Sequence, residues 1–218
     1  MYFASRVQAG RMLATRLENK YRFENCAVLA LDDGGVIVGT EIATKLHCVI
    51  TMLMSKEIKL PMEPVAVAGV GSGGVFSYNS RYSPSELYDI TSENRGFIEE
   101  EKLRSIHEIN RITSNVGTVD KKLLSGHNII IVSDGLNSAF TVDLVYEFLK
   151  PIKIEKLIFA IPMASVGVVD KMHILGDELY CLDVLEDFPD KNHYYDNNDL
   201  PSHEEIIKEI ERIVLKWK

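Results

Sequence analysis

Short apolar blocks alternate with amphipathic stretches along this chain. CAVLALD (26–32), CVITMLM (48–54), EPVAVAGVG (63–71), NIIIVSD (128–134), KLIFAIP (156–162) and ELYCLDV (178–184) are continuous and of strand length. Residues 8–20, 34–47, 93–113, 139–149 and 166–176 read instead as helices. Met12, Leu13, Leu17 and Tyr21 mark the face of the first, and Ile37, Ile42 and Leu46 that of the second. In 202–218, Ser202 and Glu205 form a capping box, and Ile206, Ile210, Ile213, Val214 and Trp217 follow as an apolar stripe. Turn formers and tyrosines fill 72–91, which reads as a hairpin or mobile loop. Buried strands joined by helices predict an α/β fold: a central parallel β-sheet with helices on both faces. One domain is expected over 1–218, with no internal repeat, and 187–202 is its main polar excursion.

Charge narrows the partners. The net charge is -8, which disfavours nucleic-acid backbones and anionic membranes. A phosphorylated small molecule stays open, because local amides or a metal can invert the field within one cleft. Cys26, Cys48 and Cys181 fit no zinc spacing and read as reduced core thiols. No apolar run reaches the roughly 18 residues of a membrane span, and the cytoplasm is the expected compartment.

The most informative stretch is NIIIVSDGLNSAFT (128–141). It is a buried strand, then an acid, a glycine turn, small and hydroxylic residues, and a helix start. In a parallel sheet a strand ends at the crevice where ligands bind, and amides at the next helix start can hold a phosphate. Asp134 beside them would accept hydrogen bonds from sugar hydroxyls. The pattern suggests a sugar-phosphate site.

The order of motifs resembles the type I phosphoribosyltransferases, in particular a bacterial and archaeal group of about this length with unassigned substrates. FASRVQAGRMLATRL matches the opening through Arg6, Ala9, Gly10, Leu13, Ala14 and Leu17. VLALDDGGVIVGTEIATKL matches the first phosphate loop through Gly34, Gly35, Val36, Gly39, Ile42 and Ala43. Lys56, Pro61 and Gly69 fit the next segment. IIIVSDGLNSAFT matches the ribose-phosphate motif through Asp134, Gly135, Ser138 and Thr141. LIFAIPMAS fits the fifth strand, and Phe188, Tyr194, Tyr195 and Asp196 fit the tail. The departures fall on the chemistry. Ser133 stands where the group carries a first acid, Ala139 falls within the phosphate loop, and Asp32 and Asp33 replace proline and arginine.

The resemblance implies the type I phosphoribosyltransferase fold, with a core of about 25–184 and a small hood from about 1–10 and 185–202. It implies that a nucleobase-like acceptor displaces pyrophosphate from 5-phosphoribosyl pyrophosphate. Positioning and electrostatics would carry such a reaction. Asp134, with Ser133, would face the ribose. Gly135, Leu136, Asn137, Ser138, Ala139, Phe140 and Thr141 would hold the 5-phosphate. Asp33, Gly34 and Gly35 would face the pyrophosphate, with Mg²⁺ entering alongside the substrate. Tyr194 and Tyr195 would stack a base. Residues 72–115 would close as a lid, with Arg81, Arg95, Lys102, Arg104 and Arg111 as candidate contacts. A homodimer is a further expectation of this kind.

Plain alternatives stand beside each role. Asp134–Gly135 and Gly34–Gly35 could be turns only. Asp32–Asp33 could cap a helix, or hold a cation between them. The tail aromatics could pin a loop, and the basic residues of 102–111 could be a solvated face. His107 and His173 read as structural. Three functions follow: a phosphoribosyltransferase, a binder of a phosphorylated metabolite that has lost turnover, and, more weakly, a hydrolase using Asp32 or Asp33 with Mg²⁺.

Overall fold

The structure is a computed structural model that describes residues 1–61, 63–113, 121–186, 188 and 190–216. Its contacts divide it into two compact units: 1–53, 121–139 and 152–218, and a second of 54–120 and 140–151.

The first unit holds the parallel sheet. Strands β1 (Cys26–Ala30), β2 (Val49–Met52), β6 (Asn128–Val132), β7 (Lys156–Ser165) and β8 (Glu178–Leu185) lie in the order β2-β1-β6-β7-β8. Every pairing is parallel, and the apolar blocks CAVLA and NIIIV are buried at every position. That burial on both faces explains why these strands read as continuous rather than alternating. Helices α1 (Arg6–Tyr21), α2 (Asp33–Leu46), α5 (Val166–Leu175) and α6 (His203–Lys216) flank this sheet. Ile206, Ile210 and Ile213 of the α6 stripe are buried; the Val214 side chain and Trp217 lie outside the described residues. Among the described residues no helix is long and apolar enough to cross a membrane.

The second unit corrects two expectations. The block 63–71 is not a strand of the parallel sheet. As β4 (Ala66–Gly71) it is the middle of an antiparallel sheet, between β3 (Ser55–Lys59) and β5 (Val75–Tyr78). The stretch expected as a hairpin or mobile loop does hold the turn and second strand, β5, of a β4–β5 hairpin, and then runs into the first turns of α3 (Pro84–Thr113). That helix starts well before residue 93, because Ser83 and Glu86 form a capping box: Ser83 N donates to Glu86 Oε2 at 2.7 Å and Glu86 N to Ser83 Oγ at 3.3 Å. Ile58, Val67, Ala68, Val70, Ile98 and Ile109 form this unit's core. Helix α4 (Ala139–Leu149) contributes Phe140 and Leu144, packed with Ala66.

Candidate functional site

Two acids leave the parallel sheet side by side. β1 and β6 are neighbours in register, with Ala30 opposite Val132, so Asp32 and Asp134 follow two residues later on adjacent chains. Leu31 N bonds Val132 O at 2.9 Å and holds the two exits together. Asp32 is the N-cap of α2, and its Oδ1 accepts from Gly35 N. The first turn of α2 runs so close to Asp134 that a Cβ on Gly34 would fall within the Asp134 carboxylate. Glycine at 34 is thus a requirement of close approach.

Asp134 is fully buried and held by two cations from distant parts of the chain. Arg6, at the start of α1 and 2% exposed, donates through Nε to Asp134 Oδ2 at 2.6 Å. Lys191 opens a short 3-10 helix (Lys191–Tyr194) and donates to Asp134 Oδ1 and, at 2.9 Å, to Asp32 Oδ2. Ser133, also fully buried, donates to Asp32 Oδ2 at 2.9 Å. With both acids and both bases ionised, the cluster is neutral. Burial and then the neighbouring Asp32 push the Asp134 carboxyl above its ordinary range, against the pull of Lys191 and Arg6. Burial would lower the Lys191 ammonium, but Asp32 and Asp134 outweigh it and hold the group above its usual value. Lys191 therefore stays charged.

The tail closes over this cluster. Arg6 Nη2 and Nη1 donate to Asn192 Oδ1 (2.5 Å) and Asn198 Oδ1 (3.3 Å), and its guanidinium lies 4.5 Å from the centre of the Tyr195 ring. Tyr195 donates its hydroxyl to the Asp134 carbonyl. Burial, then Asp134, raises that phenol well above its usual range. Phe3 and Tyr195 form a parallel bridge, and Asp196 N and Asn197 N donate to Phe3 O and Ala4 O. Residues 3–4 and 194–197 are thus one assembly. Tyr2 stacks on Tyr194 at 5.5 Å, and its hydroxyl meets His193 Nε2 at 3.0 Å.

Residues 4–187 match the family model described as phosphoribosyl transferase domain. The chain belongs to that family. Two Mycobacterium tuberculosis proteins, from strains CDC 1551 / Oshkosh and ATCC 25618 / H37Rv, are each 25% identical to it over 215 residues, or 96% of the chain. Both carry the name "Putative phosphoribosyl transferase". The chain spans about half the length of these curated relatives, 46% of each. The crystal structure of TT1426 from Thermus thermophilus shares the fold, with a TM-score of 0.73 and 24% identity, covering 100% of this chain and 99% of that one.

Within this phosphoribosyl transferase domain, several residues depart from their expected places. Asp134 does not face an open crevice, because Arg6 and Lys191 cover its carboxylate. Ser133 is likewise sealed. The amides of Gly135 and Leu136 are spent: Gly135 N donates to Ser133 Oγ at 3.3 Å and Leu136 N to Met163 O at 3.0 Å, since Leu136 pairs alongside β7. Asn137 directs its side-chain amide to Phe188 O at 2.7 Å. Ser138 has partners of its own, and Ala139 opens α4. Phe140 and Thr141 belong to the second unit, where Phe140 is core and Thr141 Oγ1 donates to Glu57 Oε1 at 3.4 Å. In the first loop the Gly35 amide goes to the Asp32 cap, and Asp33 pairs with His203 Nδ1 at 2.7 Å. Tyr195 is buried beneath Arg6, so its ring is not open to a base.

The expected lid residues lie in the second unit. Lys102 pairs with Glu99 and covers Phe76, and Arg104 pairs with Glu100 and Glu101. Residues 114 and 115 of that stretch lie outside the described residues.

Among the described residues no group of three or more His, Cys, Asp and Glu side chains is placed to hold a metal ion. The two carboxylates that converge meet an ammonium instead. Nothing in the sequence marks Lys191, Asn192 or Asn198, and Arg6 stands out only as part of a motif.

Proposed function

We propose that this domain binds a phosphoribosyl ligand, either 5-phosphoribosyl pyrophosphate or a nucleotide, at the ends of β1 and β6, where Asp32 and Lys191 form the exposed rim of the charged cluster. The supporting observation is the passage from β6, the middle strand of the parallel sheet, through Ser133, Asp134 and Gly135 to a helix start, in a chain of this family. The strand ends are where such folds take ligands. The ligand's sugar and phosphate would both meet that rim, where the Asp32 and Lys191 side chains are each 32% exposed. Transfer of the pentose to a nucleobase-like acceptor is the activity this reading assigns.

A second reading, binding without transfer, is favoured by one observation. Asp134 is neutralised by two cations in direct contact. An acid so paired offers little net charge to a positive centre forming on the sugar, and strong catalysis of this kind depends on preset electrostatics.

Calorimetric titration with 5-phosphoribosyl pyrophosphate, followed by a pyrophosphate-release assay with a panel of nucleobases, separates the two. Binding with release supports transfer. Binding of 5-phosphoribosyl pyrophosphate or a nucleotide without release supports the binder. Absence of binding by any phosphorylated pentose refutes the proposal.

A further inference from the structure

Lys191 is the one cation, among the described residues, that touches both acids at the ends of β1 and β6. Asp32 and Asp33 stand where the family resemblance leads one to expect an arginine that would offset a pyrophosphate. Without a bridging cation, Asp32 and Asp134, side by side at the ends of β1 and β6, would repel any anion. The structure supplies that cation from the tail. The Lys191 ammonium has three donors. Two go to Asp32 Oδ2 and Asp134 Oδ1, and no third partner is found among the described residues. The side chain is 32% exposed, so it is not sealed from solvent as Asp134 is. Asp33, the other acid of the loop, is taken by His203.

We infer that Lys191 is the resident cation of this site: it bridges Asp32 and Asp134, presents its remaining N–H to a phosphate oxygen of the ligand, and makes binding independent of a divalent metal. The inference rests on the proposed phosphoribosyl binding. A compact ammonium suits the place, since it acts as a point charge with rotatable donors. Asp32 holds it from the α2 cap and Asp134 from the floor, while the backbone of 191–194 is fastened by the hood. The residue is tethered, so no free ion is needed to cancel the two acids.

The test is titration of the whole chain with 5-phosphoribosyl pyrophosphate, once in Mg²⁺ and once in excess EDTA. Wild-type affinity should agree between the two within about threefold, well below the tenfold that 1.4 kcal/mol represents. Lys191→Met should bind about tenfold or more weakly in EDTA, the scale of one charged hydrogen bond, and Mg²⁺ should recover part of the loss. Lys191→Arg, which keeps the charge, should stay closer to wild type in EDTA. A lysine with a merely structural role would not change the metal dependence. Collapse of wild-type affinity in EDTA overturns the inference and leaves the ligand reading intact. Tighter binding by Lys191→Met would make the lysine a plug and also overturns it. No wild-type binding in either buffer removes the ligand reading itself. Should Lys191→Met fail to fold, the wild-type comparison and Lys191→Arg still decide.

Discussion

Arg6 Nε and Asp134 Oδ2 meet at 2.6 Å across 128 positions of sequence, with both side chains almost wholly buried. This contact joins the first turn of α1 to the end of the central strand. Removing one partner of a buried pair leaves a charge without compensation, at a cost of about 3–5 kcal/mol. Arg6→Ala should lower the unfolding free energy by about that amount in urea titrations. Asp134→Asn should destabilise as well and weaken phosphoribosyl binding. An Arg6→Ala protein of wild-type stability would show that the pair adds nothing.

Two glycines separate the charged cluster from simple packing. A Cβ at Gly34 meets the Asp134 carboxylate, while a Cβ at Gly10 meets Val38 O at 2.7 Å where α1 crosses α2. Each alanine variant should lose about 1–3 kcal/mol of stability through overpacking. Only Gly34→Ala displaces the acid, so ligand affinity should fall further for Gly34→Ala than for Gly10→Ala. Equal affinities in calorimetry would detach Gly34 from the site.

The sheet was legible because its strands are buried on both faces and so appear as unbroken apolar blocks. β3 escaped notice because SKEIK buries only Ile58 fully and reads as a polar run. The start of α3 did carry a signal, Ser83-Pro84-Ser85-Glu86, which combines a capping box with proline in the first turn. Arg6 was also within reach. It falls on the same helical face as Ala9, Gly10, Leu13 and Leu17, all buried, and a charge on such a stripe calls for a buried partner. Lys191 had no such mark: a single lysine in a polar stretch gives no periodicity. Its role depends on a contact 57 residues from Asp134 and 159 from Asp32, which only the folded chain creates.

Acid stability should depend on Glu178. Burial opposes its ionisation, yet hydrogen bonds from Lys20 (2.6 Å), Tyr180 (3.0 Å) and Lys156 (3.2 Å) hold it down to about 2, from an ordinary 4.5. A lowered folded-state value means that this stability is present above about 4.5 and is lost as pH falls toward about 2. Thermal melts across that window should fall more steeply for wild type than for Glu178→Gln. Parallel curves would count against the assignment.

The thiols should be silent in the native protein. Burial pushes Cys26 up to about 11 and Cys48 up to about 12, and it raises Cys181 as well. At pH 8 a thiol at 11 is ionised in about one molecule in a thousand, and the thiolate is the reactive form. A disulfide reagent should therefore label all three slowly until denaturant is added. Rapid native labelling of Cys26 or Cys48 would contradict their burial.

The bridge between Phe3 and Tyr195 ties residues 3–4 to 194–197. The amides of Phe3, Asp196 and Asn197 each donate across the seam between the chain's beginning and its tail, so none can be released without parting that seam. Deuterium uptake at these three positions should follow one shared opening rate. Whatever ligand reaches Lys191 from the hood side should slow all three together, giving a readout of occupancy that needs no turnover.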